Sequence, residues 1–342
     1  MGRDKILCTG AAGFAGAHMV SHLMANTDWD IVGLDRLSYA GSLERLALWQ
    51  GNPRLKMVFH DFRAVYSASV LKALEGVRYF IHNGAETHVE RSIQDPEPFV
   101  MSNVLGTMNS LQAARALGVD HFIYVSTDEV HGPAPYGVDF TEESPIRPSN
   151  PYSASKAGGE ALAFAWWKCY RLPVTCTRTM NLIGERQHPE KFVPMCIRKI
   201  LRGEKVIIHG RRDAAGQWTI GERKWIHARN QADALLFLLK LQQKEGISRT
   251  AQGSTHGATF HVAGEERSNL EIAKFIADTL GKKLDYEVVD VHVDRPGHDL
   301  RYSLSDEKIK SFGWKAPRPF EESLRRCIEW SARPENAAWL EE

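Results

Sequence analysis

Ser126, Thr127, Asp128 and Glu129 stand in a row, and each can give, take or hold a proton. They follow Phe122 to Val125, a short β-branched and aromatic run that reads as a buried parallel strand. Beyond them, Tyr152 and Lys156 sit four apart in a stretch of helical character ending near Leu162. That spacing places a phenol and an ammonium on one helix face. Ligands in open α/β sheets bind at the carboxyl ends of strands, which is where Ser126 to Glu129 fall. A polar strand exit followed by a surface helix explains the Tyr–Lys spacing equally well when it is taken alone. The acids upstream and a nucleotide motif at the N-terminus favour a site.

The elements that must position these groups begin with a strand over Lys5 to Thr9. It runs into Gly10-Ala-Ala-Gly13-Phe-Ala-Gly16 and a helical pattern from Ala17 to Ala25. A glycine-rich turn between strand and helix lets a pyrophosphate approach the backbone and rest on the helix N-terminus. A second strand, Asp30 to Asp35, ends in a carboxylate suited to the adenosine ribose hydroxyls and repulsive to a 2′-phosphate. NAD is therefore expected rather than NADP; the neighbouring Arg36 weakens that preference without reversing it.

Strands are expected at 55–60, 79–82, 122–125 and 174–180, with helices at 69–76, 98–118 and from Tyr152 onward. This alternation predicts an α/β fold, a doubly wound parallel Rossmann sheet. Past Met180 the pattern becomes irregular: a helix over 194–202, a polar loop from His209 to Gly221, and a strand over 224–227. Further helices are expected at 231–241, 269–280 and 320–332, and a strand at 259–263. The expected division is an NAD-binding domain over 1–180, with returning segments from about 224–263. Residues 181–342 then form mainly a smaller C-terminal substrate-binding lobe.

With 342 residues, 43% of them hydrophobic, and a net charge of +1, the chain has the balance of an ordinary soluble protein. It shows no basic excess for nucleic acid or an anionic membrane, and no apolar run of spanning length. The five cysteines have no metal-like spacing and read as reduced, mostly buried thiols. An early strand leaves no room for a targeting peptide, so the expected location is cytoplasmic.

The chain resembles the extended short-chain dehydrogenase/reductases, and within them the nucleotide-sugar 4,6-dehydratases, most closely those acting on dTDP-glucose. The likeness runs from Thr9-Gly-Ala-Ala-Gly13 to Arg301-Tyr302, through Asp35-Arg-Leu-Ser-Tyr-Ala-Gly41, Ala85-Glu-Thr-His88, Asn103-Val-Leu-Gly-Thr107 and Pro189-Glu-Lys191. Thr127-Asp128-Glu129 is the discriminating piece, because 4-epimerases lack the acidic pair. The resemblance implies Tyr152 as the base toward the sugar 4-hydroxyl, Lys156 as its electrostatic support and Thr127 as a hydrogen bond to the 4-oxygen. It implies Glu129 as the base at C5 and Asp128 as the acid for the departing 6-hydroxyl. Elimination needs a base and an acid together. On a straight strand the two carboxylates would point to opposite faces, so the strand must already have broken into loop.

The implied cofactor wall comprises Gly10, Gly13, Phe14, Ala15, Gly16, Asp35, Arg36 and Ser38, then Asp61, Phe62, Ala85, Glu86, Thr87 and Asn103, and finally Ser126, Tyr152 and Lys156. Implied substrate contacts are His88, Ser92, Thr127, Asn181, Lys191, Arg223, Arg301 and Tyr302. His88 and His131 read as pocket wall or structural residues, and no metal is expected. A homodimer is implied, with Leu111, Ala114, Leu162, Ala165, Trp166 and Tyr170 forming an apolar stripe. Departures from the family pattern include His131 in place of Tyr, Glu90 in place of Asp, Leu182 after Asn181, and the long 209–221 loop. They leave open the nucleotide base and the sugar, but not the reaction class; the same-fold rivals are a dehydratase acting on a UDP- or CDP-sugar and a nucleotide-sugar 4-epimerase. A non-catalytic nucleotide-binding protein is the alternative from another class, though it has no need of all five catalytic side chains.

Overall fold

The computed structural model describes residues 3–244, 257–291 and 299–341. Its first half alternates strictly: β1 (Lys5–Thr9), α1 (Phe14–Asn26), β2 (Asp30–Asp35), β3 (Leu55–Phe59), α2 (Ala68–Ala73), β4 (Tyr79–His82). After α3 (Val89–Gln94), α4 (Glu97–Val100) and α5 (Gly106–Leu117) come β5 (His121–Thr127), α6 (Pro151–Tyr170) and β6 (Val174–Thr179). Then follow β7 (Asn181–Ile183), α7 (Phe192–Arg202), β8 (Val206–Arg212), β9 (Trp218–Ile220), β10 (Glu222–His227), α8 (Ala228–Lys244) and β11 (Ala258–Val262). The chain closes with β12 (Glu265–Ser268), α9 (Asn269–Leu280), β13 (Tyr286–Asp290), β14 (Arg301–Tyr302), α10 (Glu307–Ser311) and α11 (Phe320–Ser331).

Seven parallel strands form the main sheet in the order β11-β6-β5-β4-β1-β2-β3. The order reverses between β1 and β4, the switch point at which such sheets open a ligand crevice. Both faces are covered, so successive residues of β5 go to opposite cores. Phe122 and Tyr124 pack with Phe80, Leu111 and Ala114; Ile123 and Val125 pack with Met19, Val20 and Leu235. Each fully buried aliphatic of α1 contributes about 1.5–3 kcal/mol relative to exposure. Two small sheets complete the molecule: β10 pairs with β7, β12 and β14, while β13, β8 and β9 form the other. A third core, built on Ile197, Ile200, Trp225, Ile272 and Ile328, lies among α7, α9 and α11.

The expected bounds of β2, β4 and α9 agree with those observed, and several other expectations need correction. The single helix expected over 98–118 is α4, a π-helical turn at Met101–Leu105 and then α5. The polar 209–221 loop is a hairpin: β8 and β9 pair antiparallel around a turn in which Asp213 Oδ1 accepts from Gln217 N at 2.8 Å. Within the proposed dimer stripe, Leu111 and Ala114 are completely buried under the sheet and offer nothing to a partner. Cys8, Cys176, Cys196 and Cys327 are buried and Cys169 is exposed. No helix among the described residues is long and apolar enough to cross a membrane.

Candidate active site

β5 ends immediately before the acids, as expected, though into a 3-10 turn rather than a loop. It stays extended through Thr127, which caps a 3-10 turn, Asp128–His131, by accepting from Glu129 N at 3.4 Å. A 3-10 turn rotates successive side chains by about a third of a circle, so Asp128 and Glu129 no longer oppose each other as on a strand. Thr127 Oγ1 donates to Asp128 Oδ1 at 3.0 Å. Asn150 Nδ2 donates to Glu129 Oε2 at 3.0 Å. Asn150 is also the N-cap of α6, with a reciprocal capping box to Ser153 and Pro151 at the first helical position. One residue therefore starts the helix that carries Tyr152 and Lys156 and steadies Glu129.

Ser92 Oγ accepts from Tyr152 N at 3.1 Å, which satisfies a helix-terminal donor and locks the tyrosine's backbone. One turn on, Lys156 Nζ donates to Val125 O at 2.7 Å and lies 4.3 Å above the Tyr124 ring. Both residues are buried.

Burial dominates the electrostatics. It raises Asp128 well above the ordinary carboxylate range; Glu129's charge adds to this, and Thr127 opposes it. Glu129 is raised too, by burial, against Asn150, Arg223 and Lys191. Asp128 Oδ2 finds no hydrogen-bond partner among the described residues. Burial pulls Lys156 down to about 7, with Glu160 working the other way. Tyr152 is pushed up by burial and by Glu129 and Asp128. The site thus holds a carboxyl inclined to keep its proton beside one able to accept another.

A cavity of about 360 Å³ connects these groups with the glycine-rich turn. Gly10 has φ +66, and a Cβ there would sit 2.8 Å from Gly84 Cα, across the switch point. A Cβ on Gly16 would fall 1.9 Å from the Gly10 carbonyl oxygen. The N-cap of α1, Gly13, has no side-chain hydrogen bond, so the helix presents open N–H groups to the cavity. Asp35 Oδ2 accepts from Ala12 N at 2.9 Å and Oδ1 from Leu37 N at 2.8 Å. Each oxygen keeps a second lone pair for a ribose hydroxyl. These features fit a dinucleotide: a bare-backbone cradle for pyrophosphate with a fixed carboxylate one strand away.

Residues 6–250 match the model of the NAD dependent epimerase/dehydratase family. The chain belongs to this family. It is 37% identical to the low-salt glycan biosynthesis protein Agl12 of Haloferax volcanii over 95% of this chain and 97% of that protein. It is 35% identical to dTDP-glucose 4,6-dehydratase 1 of Escherichia coli over 98% and 94%. The crystal structure of DesIV, a dTDP-glucose 4,6-dehydratase from Streptomyces venezuelae with NAD and TYD bound, superimposes with a TM-score of 0.84 at 36% identity, covering 98% and 99%. The cofactor of this family member is NAD.

Of the residues expected from sequence, the cavity wall takes in all but Asp61, Asn103, His88, Ser92, Arg223, Arg301 and Tyr302. Four of these act from behind the wall. Asn103 clamps the cavity loop, accepting from Glu86 N and donating to Glu86 O, each at 3.0 Å. Asp61 pairs with Arg63 and lies 3.5 Å from Arg36, which itself holds Glu86 at 2.6 Å. Ser92 anchors Tyr152, and His88 caps α3 and faces Glu190 at 3.6 Å.

Arg301 is placed elsewhere, as a structural clamp. Its guanidinium bonds Glu266 at 2.6 Å, the Pro135 and Val138 carbonyls at 2.7 and 2.6 Å, and Asp139 at 3.1 Å. Neighbours on a strand face opposite ways, so Arg301 and Tyr302 cannot both reach one side. Tyr302 instead lies under Arg223, 4.8 Å away. Arg223 donates to the carbonyls of Glu222, Leu300 and Asp299.

Arg45, Thr179, Gln187, Glu190 and Gln231 also line the cavity and were not singled out from sequence. Thr179 ends β6, so the strand-end rule could have found it; Arg45 carries no local signal. Outside the cavity, ligand atoms of His18, Glu185 and His227 lie within 4.8 Å of one another. His227 Nδ1 accepts from Arg229 N, so its Nε2 carries the proton and donates to Glu185 Oε2 at 3.1 Å. Glu185 Oε1 faces Arg229 and Arg326, and His18 bonds the Glu185 carbonyl. The three residues satisfy one another as a buried ion-pair node rather than offering open ligand positions.

Proposed function

We propose that this chain is an NAD-dependent hydro-lyase, a 4,6-dehydratase that converts a nucleotide-diphosphate hexose, dTDP-glucose first, into its 4-keto-6-deoxy form. The observation that carries this reading is the Asp128–Glu129 pair, the first buried and the second half-buried, set in the same cavity wall as Tyr152 and Lys156. Inverting C4 alone requires no such acid and base. The dTDP-glucose 4,6-dehydratases among its relatives support the choice of reaction and of nucleotide.

NAD, held by the glycine-rich turn and Asp35, would supply hydride acceptance at C4 and hydride return at C6. Tyr152 as phenolate takes the 4-hydroxyl proton; the Lys156 ammonium steadies that charge, and Thr127 hydrogen-bonds the same oxygen. The resulting 4-ketone acidifies the C5 proton, which Glu129 removes. Asp128, kept protonated by burial and by its charged neighbour, protonates the 6-hydroxyl, which leaves as water. Glu129 returns its proton to C5, and the proton gained by Tyr152 replaces the one Asp128 lost. Lys191 and Arg223 supply positive charge toward this pocket for the diphosphate.

In this scheme the cofactor lies against the seven-stranded sheet (residues 1–180 with segments returning at 224–263), and the sugar nucleotide lies against the small sheets of residues 181–342. A homodimer forms through the α4–α6 face, where Val100, Met101 and Tyr170 are exposed and Leu162 and Trp166 half-buried. The protein works in the cytoplasm. Incubation with dTDP-, UDP- and CDP-hexoses followed by mass analysis tests the reading. Loss of one water from the dTDP sugar is expected. A C4-inverted product of unchanged mass would replace this reaction with epimerisation.

A further inference from the structure

The cofactor side of the cavity is held together by one arginine that no motif marks. Arg45 sits in a 3-10 turn, Leu43–Trp49, and is 7% exposed. Its Nη1 donates to the carbonyls of Ala12 at 3.1 Å and Ala40 at 2.6 Å. Its Nε donates to the Arg186 carbonyl at 3.0 Å. Ala12 belongs to the glycine-rich turn, Ala40 to the loop after β2 that lines the cavity, and Arg186 to the segment after β7. A single planar guanidinium thus joins three segments distant in sequence, and its fork of donors is what a lysine could not reproduce.

The open face of that guanidinium is covered from the far end of the chain. Trp339 lies with its ring centroid 5.0 Å from Arg45 Cζ. Trp339 belongs to a 3-10 turn, Pro334–Leu340, that is itself well seated. Leu340 is buried, and its carbonyl accepts from Arg198 at 3.2 Å. Trp330, just before the turn, lies under Arg186 at 5.1 Å. Arg186 is one of three non-glycine residues described with positive φ, at 64, so its loop is held in a conformation that needs outside support.

We propose that Arg45 and Trp339 form a clasp that retains NAD: Trp339 positions Arg45, and Arg45 positions the glycine-rich turn and the Ser38–Gly41 loop around the adenosine and pyrophosphate of the cofactor. Neither is a catalytic residue. The clasp suits a cofactor that ends each turnover in the form in which it began, and that clause rests on the reaction proposed above; the binding test does not.

The test loads the full-length protein with NAD, removes free cofactor and follows release by rapid filtration, with the melting temperature of the cofactor-free protein as the structural control. Trp339→Ala should release NAD about tenfold faster, the scale of a desolvated cation–π contact, with little change in that melting temperature. Arg45→Met should release it at least as fast, and Trp339→Phe should restore most of the retention. Because Trp339 acts through Arg45, the double variant should be no worse than Arg45→Met. Should Trp339→Ala fail to fold, Arg45→Met alone decides, and release at the wild-type rate overturns the clasp. Wild-type retention in Trp339→Ala, or additive losses in the double variant, would also overturn it. A wild-type protein that binds no NAD would instead refute the cofactor.

Discussion

Two buried carboxylate sites lie close together in this molecule and end up with opposite characters. Asp128 and Glu129 sit on the 3-10 turn after β5, with Arg223 and Lys191 acting only at a distance. Glu160, one turn beyond Lys156 on α6, is held by both Nη2 and Nε of Arg178. Arg178 Nη1 also donates to His131 Nε2 at 3.0 Å, His261 Nε2 at 3.3 Å and the Glu142 carbonyl at 3.2 Å. His131 Nδ1 bonds the Pro145 carbonyl at 2.9 Å, so that ring is neutral, with its proton on Nδ1. A carboxylate buried with a forked cation is structure. A carboxylate buried without one is driven toward its protonated form and becomes an acid or base.

The largest effect on stability should come from unbalancing the compensated pair. Arg178→Met leaves Glu160 charged and buried and should cost about 3–5 kcal/mol, read from a denaturant midpoint. An unchanged midpoint would mean that Glu160 carries no charge in the folded protein.

Asp128→Asn should behave in the opposite way. Catalysis should fall ~10²–10⁴-fold at the loss of water, while stability does not drop. The pH dependence has a definite sign. Asp128 is raised in the folded state, so its contribution to stability is full at low pH and is lost as pH rises through its folded value. The melting temperature of Asp128→Asn relative to wild type should therefore climb from acid to alkaline pH. A flat difference would remove the claim that burial perturbs this group.

An exposed pair sets the lower bound of the scale. Lys205 and Glu287 meet at 3.2 Å with both side chains about half exposed. Lys205→Ala should change stability by about 0–1 kcal/mol, and less at high salt.

The large sheet was legible because its signals are local. Asp30 to Asp35 and Tyr79 to His82 announce themselves as apolar runs, and the glycines before α1 have few other uses. β8 and β9 were not, because Arg211, Arg212 and Asp213 interrupt any apolar alternation with charge. Their pairing depends on the turn at Asp213 to Gly216. The identities of Thr127, Asp128 and Glu129 could be read, along with their place at a strand end. That the strand would run through Thr127, and that a 3-10 turn rather than a loop would aim the acids, could not. Relations between distant residues were equally hidden: Arg178 with Glu160, Arg45 with Trp339, and Arg301 withdrawn into a clamp. No periodicity encodes a contact between separate elements, whether 18 positions apart as for Glu160 and Arg178 or near opposite ends of the chain as for Arg45 and Trp339.

The most direct test of an uncompensated acid–base pair is a single turnover of Glu129→Gln with dTDP-glucose, followed by cofactor absorbance and product mass. Tyr152 and Lys156 remain, so oxidation at C4 should proceed and then stall. Reduced cofactor should build up alongside a 4-keto hexose that has kept its water. Turnover at the wild-type rate with one water lost would contradict the account.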